Sequence, residues 1–178
     1  MKLKEEKISA KKAYMGTVLS VEEAQVKCPN GNLAPREIVR HTPGAGILAI
    51  TSDNKIILER QFRYAFDEVL YEIPAGKQEI GEEPLTIAKR ELEEETGFKP
   101  NHIELLGKIY STCGYCDEII YLYYATDLIE TKKHWDENEF IEISYHSLEE
   151  VESMIKEGII VDAKTICAVS LYKLKINK

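Results

Sequence analysis

A chain of 178 residues with 44% hydrophobic and 30% charged side chains, only 10 Gly and 6 Pro, suffices for one folded domain with a real core and excludes a disordered polypeptide. Its 31 acidic against 23 basic residues leave a formal charge of −8, which repels a phosphate backbone and argues against nucleic acid as a partner. The N-terminal MKLKEEKISAKKAYMG lacks the apolar core of a secretory signal, and no apolar run nears the about 20 residues of a bilayer span, so a cytoplasmic protein with no membrane partner is expected.

The first third reads as β-structure: Tyr14 to Val21, Ala24 to Cys28 and Glu37 to His41, with turn material at Pro29-Asn30-Gly31-Asn32. Ala45 to Thr51 and Lys55 to Arg60 flank Ser52-Asp53-Asn54, which predicts a further hairpin. A helix is predicted from Pro84, suited to the first turn, to Thr96, with Gly97 to stop it and Leu85, Ala88 and Leu92 as its buried stripe. Ile103 to Tyr110, Ile119 to Ala125 and Phe140 to Tyr145 follow as strands. Two closing helices are capped by Ser147 and Asp162, the first ending near Glu157 before Gly158 and the second running through Leu171 and Leu174. Strands and helices do not alternate regularly, so the fold class is mixed α/β (α+β) with a largely antiparallel or mixed sheet. No repeat or linker divides the chain.

The chemistry concentrates in Gly76-Lys77-Gln78-Glu79-Ile80-Gly81-Glu82 and the helix behind it, which carries Arg90-Glu91-Leu92-Glu93-Glu94-Glu95-Thr96-Gly97-Phe98. At helical spacing Glu91 and Glu95 lie about 40° apart, with Glu94 about 60° to the other side of Glu91. Three carboxylates thus share one face near the negative end of the helix dipole, an arrangement unfavourable by itself. A hard divalent cation such as Mg²⁺ resolves the conflict by binding a few carboxylates and bridging to substrate phosphates. Taken alone, such a run also fits a solvated acidic face.

The neighbouring residues decide between these readings. Gly76, Glu82, Arg90, Glu91, Leu92, Glu94, Glu95, Gly97 and Phe98 match every defined position of the 23-residue box of the Nudix hydrolases, and the chain resembles that family. The resemblance implies a Nudix fold: a mixed β-sheet sandwiched between helices, with an N-terminal antiparallel β-region. It also implies that Glu91 and Glu95 ligate metal with Glu94 sharing or supporting the role, and that the carbonyl of Ala75 is a further ligand. Arg90 would brace Glu82 rather than touch substrate, with Gly76, Glu82, Arg90 and Gly97 forming the structural frame of the box. The cofactor implied is Mg²⁺, with Mn²⁺ as the alternative ion.

Beyond the box, Glu59-Arg60-Gln61-Phe62-Arg63-Tyr64, Tyr71 to Lys77, Asp117-Glu118-Ile119-Ile120, Asp136-Glu137-Asn138-Glu139 and Asp162-Ala163-Lys164-Thr165 resemble the ADP-ribose pyrophosphatase branch. That resemblance implies Mg-dependent hydrolysis of the diphosphate of ADP-ribose and related nucleoside diphosphate sugars to AMP and ribose 5-phosphate. Arg63 and Arg36 would bind the small-molecule nucleotide substrate, a planar guanidinium suiting a pair of diphosphate oxygens. Thr112 and Glu118 align with contacts to the terminal ribose. Glu137 is the candidate general base and Glu139 a further metal ligand, with the reverse assignment open; Glu95 is counted with Glu137 as catalytic.

The branch further implies a homodimer in which residues 1–40, a β-region, help form the dimer contact while 41–178 carry the Nudix domain. One departure bears on substrate: Cys113 stands where the branch commonly has a proline, sixteen residues after Gly97. Tyr115, two residues on, keeps a diadenosine polyphosphate or another nucleotide sugar as an alternative substrate. A non-catalytic nucleotide-sensing module is the alternative of a different class. Cys113-Gly114-Tyr115-Cys116 precedes a strand and lacks a second Cys or His pair at zinc spacing, which argues against thioredoxin chemistry and structural zinc; four cysteines make no disulfide framework, and the four histidines are scattered.

Overall fold

In a computed structural model the described residues are 3–133 and 140–177. The chain falls into two compact units, one made of the residues up to Thr42 together with Tyr110–Ile119, the other of Pro43–Ile109 and Ile120–Lys178.

The first unit is an antiparallel sheet of three strands, β1 (Glu6–Met15), β2 (Leu19–Lys27) and β3 (Leu33–His41), in the order β1-β2-β3. The expected first strand, Tyr14 to Val21, is corrected here: the chain turns at Gly16, whose N–H donates to the Leu19 carbonyl at 2.9 Å, and β1 lies before it. All ten residues of β1 are exposed, so it carries no apolar alternation by which a strand could be read. Residues 110–119 join this unit through Val39, whose N–H donates to Tyr115 O at 2.7 Å and whose carbonyl accepts from Asp117 N at 3.1 Å.

The second unit is built on a sheet in the order β7-β4-β9-β8, made of β4 (Gly44–Ala49), β7 (Ala75–Lys77), β8 (Phe98–Tyr110) and β9 (Ile119–Glu130). β4 pairs parallel with β9 and antiparallel with β7, so the sheet is mixed. Every residue of β4 is buried, the burial expected of a strand covered on both faces. Its side chains divide by pleat. Ala45, Ile47 and Ala49 pack with Ile87, Ala88 and Leu92 of α1 (Pro84–Thr96). Leu48 and Ile50 pack with Val151 of α2 (Leu148–Lys156) and Ala168 and Val169 of α3 (Ala163–Ile176). A mixed sheet between helices is the result.

A second sheet orders β10 (Ile141–His146), β5 (Ile56–Arg63) and β6 (Glu68–Glu72) as β10-β5-β6. The hairpin expected of the segments around Ser52-Asp53-Asn54 is therefore corrected. A tight turn is present, with Asn54 at φ 60°, but the backbone pairing beyond it is confined to the Ile50–Ile56 bridge, because β4 and β5 each have their flanks taken by other strands. The stripe of α1 also shifts: Leu85 is 40% exposed whereas Ile87 is fully buried, so Ile87, Ala88 and Leu92 face the sheet. The predicted limits of α1 match those observed, ending at Gly97 with φ 77° and its N–H on the Glu93 carbonyl.

Ser147 starts α2 with a capping box: its Oγ accepts from Glu150 N at 3.2 Å and its N–H donates to the Glu150 carboxylate at 2.6 Å. Ser147→Ala is expected to destabilise the protein by about 1 kcal/mol. Urea denaturation of the two proteins checks this, and equal midpoints would contradict it.

Candidate active site

Helix α1 sets the site because Leu92 and Ala88 anchor one face to the sheet and turn Glu91 and Glu94 toward the segment running from Gly76 to Glu82. Arg90 gathers the acidic groups. Its Nε and Nη2 donate to the two oxygens of Glu82 at 3.0 and 2.9 Å, its Nη1 to Glu91 at 2.8 Å and to Glu94 at 3.0 Å, and Nη2 also reaches the Lys77 carbonyl at 3.2 Å. The fork on Glu82 raises the already high pKa of Arg90, and the same hydrogen bonds, with that from Glu79 N–H, lower the pKa of Glu82. No basic residue stands in the last turn of α1, so Arg90 is the cation that answers its carboxylates from within the helix.

Glu95 is 4% exposed, and its carboxylate accepts from Ala75 N–H at 2.9 Å. Gly76 follows so close to α1 that a Cβ there would overlap the Glu91 carboxylate. Any side chain at position 76 would therefore displace the Glu91 carboxylate from its place beside this segment, or the segment itself. Among the described residues no three His, Cys, Asp or Glu side chains converge as an assembled metal centre, since Glu91 and Glu94 turn to Arg90 and Glu95 to Ala75. The donor set nonetheless fits a hard divalent cation: three carboxylates on successive turns of one helix face and a backbone brought against them at Gly76.

Arg63, at the end of β5, forms a bidentate pair with Glu72 of β6, Nε to Oε1 at 2.6 Å and Nη2 to Oε2 at 2.7 Å. Lys164 binds the same carboxylate and lies 3.2 Å from Asp162, the cap of α3. Burial pushes the Glu72 carboxyl up, but the Arg63 hydrogen bonds and the Lys164 charge outweigh it and hold it below its usual range. The hydrogen bonds to Glu72 likewise raise Arg63. Glu72 and Lys164 stand in segments that resemble the ADP-ribose branch, but their pairing is not legible there, because an acidic residue inside Tyr71-Glu72-Ile73 reads as buried only when its partners, 9 and 92 residues away, are known.

Of the remaining expected residues, Arg36, Thr112 and Glu118 belong to the first unit. Arg36, in the first unit, is held by Glu5 and by the Pro35 carbonyl, with Nε 3.0 Å from Glu5 Oε2. Glu118 lies 3.3 Å from His41 Nδ1, beside the Asp117–Arg40 pair at 2.9 Å. Thr112 O accepts from Tyr115 N and Cys116 N, which folds the loop bearing exposed Cys113. Glu137 and Glu139 lie outside the described residues.

A family model described as NUDIX domain matches residues 40–169. The chain belongs to the NUDIX family. This NUDIX hydrolase is 39% identical to a Bacillus subtilis protein named ADP-ribose pyrophosphatase over 97% of this chain and 95% of that one. It is 41% identical to a Bacillus methanolicus protein named methanol dehydrogenase activator over 98% and 96% of the two chains. A solved structure titled as an ADP compounds hydrolase superposes with a TM-score of 0.89 at 22% identity, covering 98% of this chain and 95% of that one, which shows the shared fold. No helix among the described residues is long and apolar enough to cross a membrane.

Because the pKa of Glu72 is lowered in the folded protein, its ion pairs contribute stability that is complete above the usual carboxylate range and lost as pH falls through the lowered value. The Glu72→Gln variant should lose part of that acid-side slope and be less stable at neutral pH, since it leaves the largely buried Lys164 and the half-exposed Arg63 without their shared carboxylate. Denaturation midpoints from pH 7 down to the acid transition check this; parallel curves for the two proteins would contradict it.

Proposed function

We propose that this NUDIX hydrolase splits the diphosphate of ADP-ribose and related nucleoside diphosphate sugars, releasing AMP and ribose 5-phosphate. The observation that carries the chemistry is the set of three helix carboxylates held at the Ala75-Gly76 segment, Glu91 and Glu94 by Arg90 and Glu95 by the Ala75 N–H. Near full-length identity to a protein named ADP-ribose pyrophosphatase supports the substrate.

Glu91, Glu94, Glu95 and the Ala75 carbonyl are the groups that would hold Mg²⁺, or Mn²⁺ in its place. A cation held there would supply charge neutralisation at the diphosphate and a water whose proton is lost more readily near neutral pH. Arg90 keeps the carboxylates oriented and Glu82 keeps Arg90 in place. Arg63, whose Nε and Nη2 are committed to Glu72, is 41% exposed at its side chain and would offer its remaining edge to a diphosphate oxygen. Glu137 takes the proton from water and Glu139 adds a ligand, or the reverse. Arg36, Thr112 and Glu118 are the further candidates for substrate contact. The fully exposed β1, with residues 1–40 around it, is the surface for a homodimer.

The 41% identity to a dehydrogenase activator supports a second reading, in which the chain also alters the activity of a partner enzyme. Assaying a dehydrogenase with and without this chain tests it, and equal rates would remove it.

Product analysis with Mg²⁺ tests the main reading on ADP-ribose, diadenosine polyphosphates, GDP-mannose, NADH and nucleoside triphosphates. Release of AMP and ribose 5-phosphate is the expected result; turnover of another diphosphate would move the specificity, and turnover of none would favour a sensing module. Glu95→Gln should lower kcat by at least about 100-fold with the fold retained by circular dichroism. Near-normal activity in that variant would remove the carboxylate site from the account.

A further inference from the structure

Lys164 lies outside the NUDIX box, yet it is the second cation on the carboxylate that fixes Arg63. The oxygens of Glu72 are unequally loaded: Oε1 accepts from Arg63 Nε, whereas Oε2 accepts from both Arg63 Nη2 and Lys164 Nζ. Lys164 is nearly as inaccessible as its partner, its side chain 12% exposed against 5% for Glu72, whereas that of Arg63 is 41% exposed. The buried end of the network is thus Lys164–Glu72 and the solvent-facing end is Arg63.

The buried end is anchored to the frame of α3. Asp162 caps that helix through Thr165 N at 2.9 Å, accepts from Thr165 Oγ1 at 2.6 Å, and pairs with Lys164 at 3.2 Å. Thr165 Oγ1 in turn accepts from Ile73 N–H at 2.9 Å, the residue after Glu72. The N-terminus of α3 therefore holds both the backbone and the carboxylate at the end of β6.

We propose that Lys164 is a positioning residue for substrate diphosphate: by fixing Glu72 from behind, it holds the Arg63 fork with its outer edge presented to the phosphates. The proposal rests on the diphosphate reading of Arg63. Without Lys164 the Glu72 carboxylate has one cation instead of two and can rotate with Arg63, so the guanidinium would be ordered only at the expense of substrate binding. A longer side chain of the same charge should preserve the arrangement in part.

The test is a double-mutant cycle on the full chain, using Lys164→Met, Lys164→Arg and Arg63→Ala, with steady-state hydrolysis of ADP-ribose and calorimetric titration of inorganic pyrophosphate as separate readouts. Lys164→Met should raise KM about tenfold while leaving kcat within about threefold, and weaken pyrophosphate by a similar factor, as expected for coupling inside one ion-pair network. In the Arg63→Ala background the same change should shift either quantity by less than about twofold, and Lys164→Arg should recover most of the loss. Equal effects in both backgrounds, or a fall in kcat alone, would overturn the positioning role. Should Lys164→Met fail to fold, Lys164→Gln, which also removes the charge, carries the same coupling test in the two Arg63 backgrounds. Absence of ADP-ribose turnover in the unmodified chain would defeat the functional reading. Pyrophosphate binding and its dependence on Lys164 through Arg63 would still decide the proposal, and no binding to the unmodified chain would end it.

Discussion

The guanidinium of Arg90 is where the segment following Gly76 and the end of α1 are held together. Four acceptors surround it, the carboxylates of Glu82, Glu91 and Glu94 and the carbonyl of Lys77. Without a cation there, clustered glutamates at the C-terminal end of a helix would repel one another and the helix dipole. Arg90 makes the cluster compatible with folding and its fork on Glu82 ties that cluster to the loop. The acidic face is therefore a stable feature before any ion is bound, and its geometry depends on Gly76 having no side chain.

The same device recurs on the other side of Ala75. Glu72 is buried and neutralised by Arg63 and Lys164, and Ile73 N–H is taken by Thr165 of α3. Two residues later Ala75 N–H is taken by Glu95 of α1. One short stretch, Glu72 to Gly76, is thus held by α3 at its start and α1 at its end. The side chains that would bind phosphate and those that would bind metal are thereby spaced by a common segment.

Local signals made the box readable. Pro84, Gly97 and the spacing of Gly76, Glu82, Arg90 and the glutamates each act within one loop and one helix, so their order along the chain carries their geometry. The same holds for Ser147 and Asp162 as caps. β1 escaped because all its residues are exposed, and the Ala45 to Arg60 hairpin was misread because a polar turn does not say which sheet each strand joins. The pairing of Lys164 with Glu72 stayed hidden for a related reason, although both segments resemble the branch: a buried ion pair is defined by tertiary contact, and neither residue type is expected inside.

Glu91 and Glu94 under Arg90, with Glu95 on Ala75, are the carboxylates that would hold a divalent ion against a diphosphate. Electron paramagnetic resonance titration of Mn²⁺ in the presence of a non-hydrolysable ADP-ribose analogue tests this without relying on turnover. Saturable binding, weakened at least about tenfold by Glu91→Gln and by Glu95→Gln, is expected. Mn²⁺ binding of equal strength in the unmodified chain and both variants, or no binding at all, would contradict it.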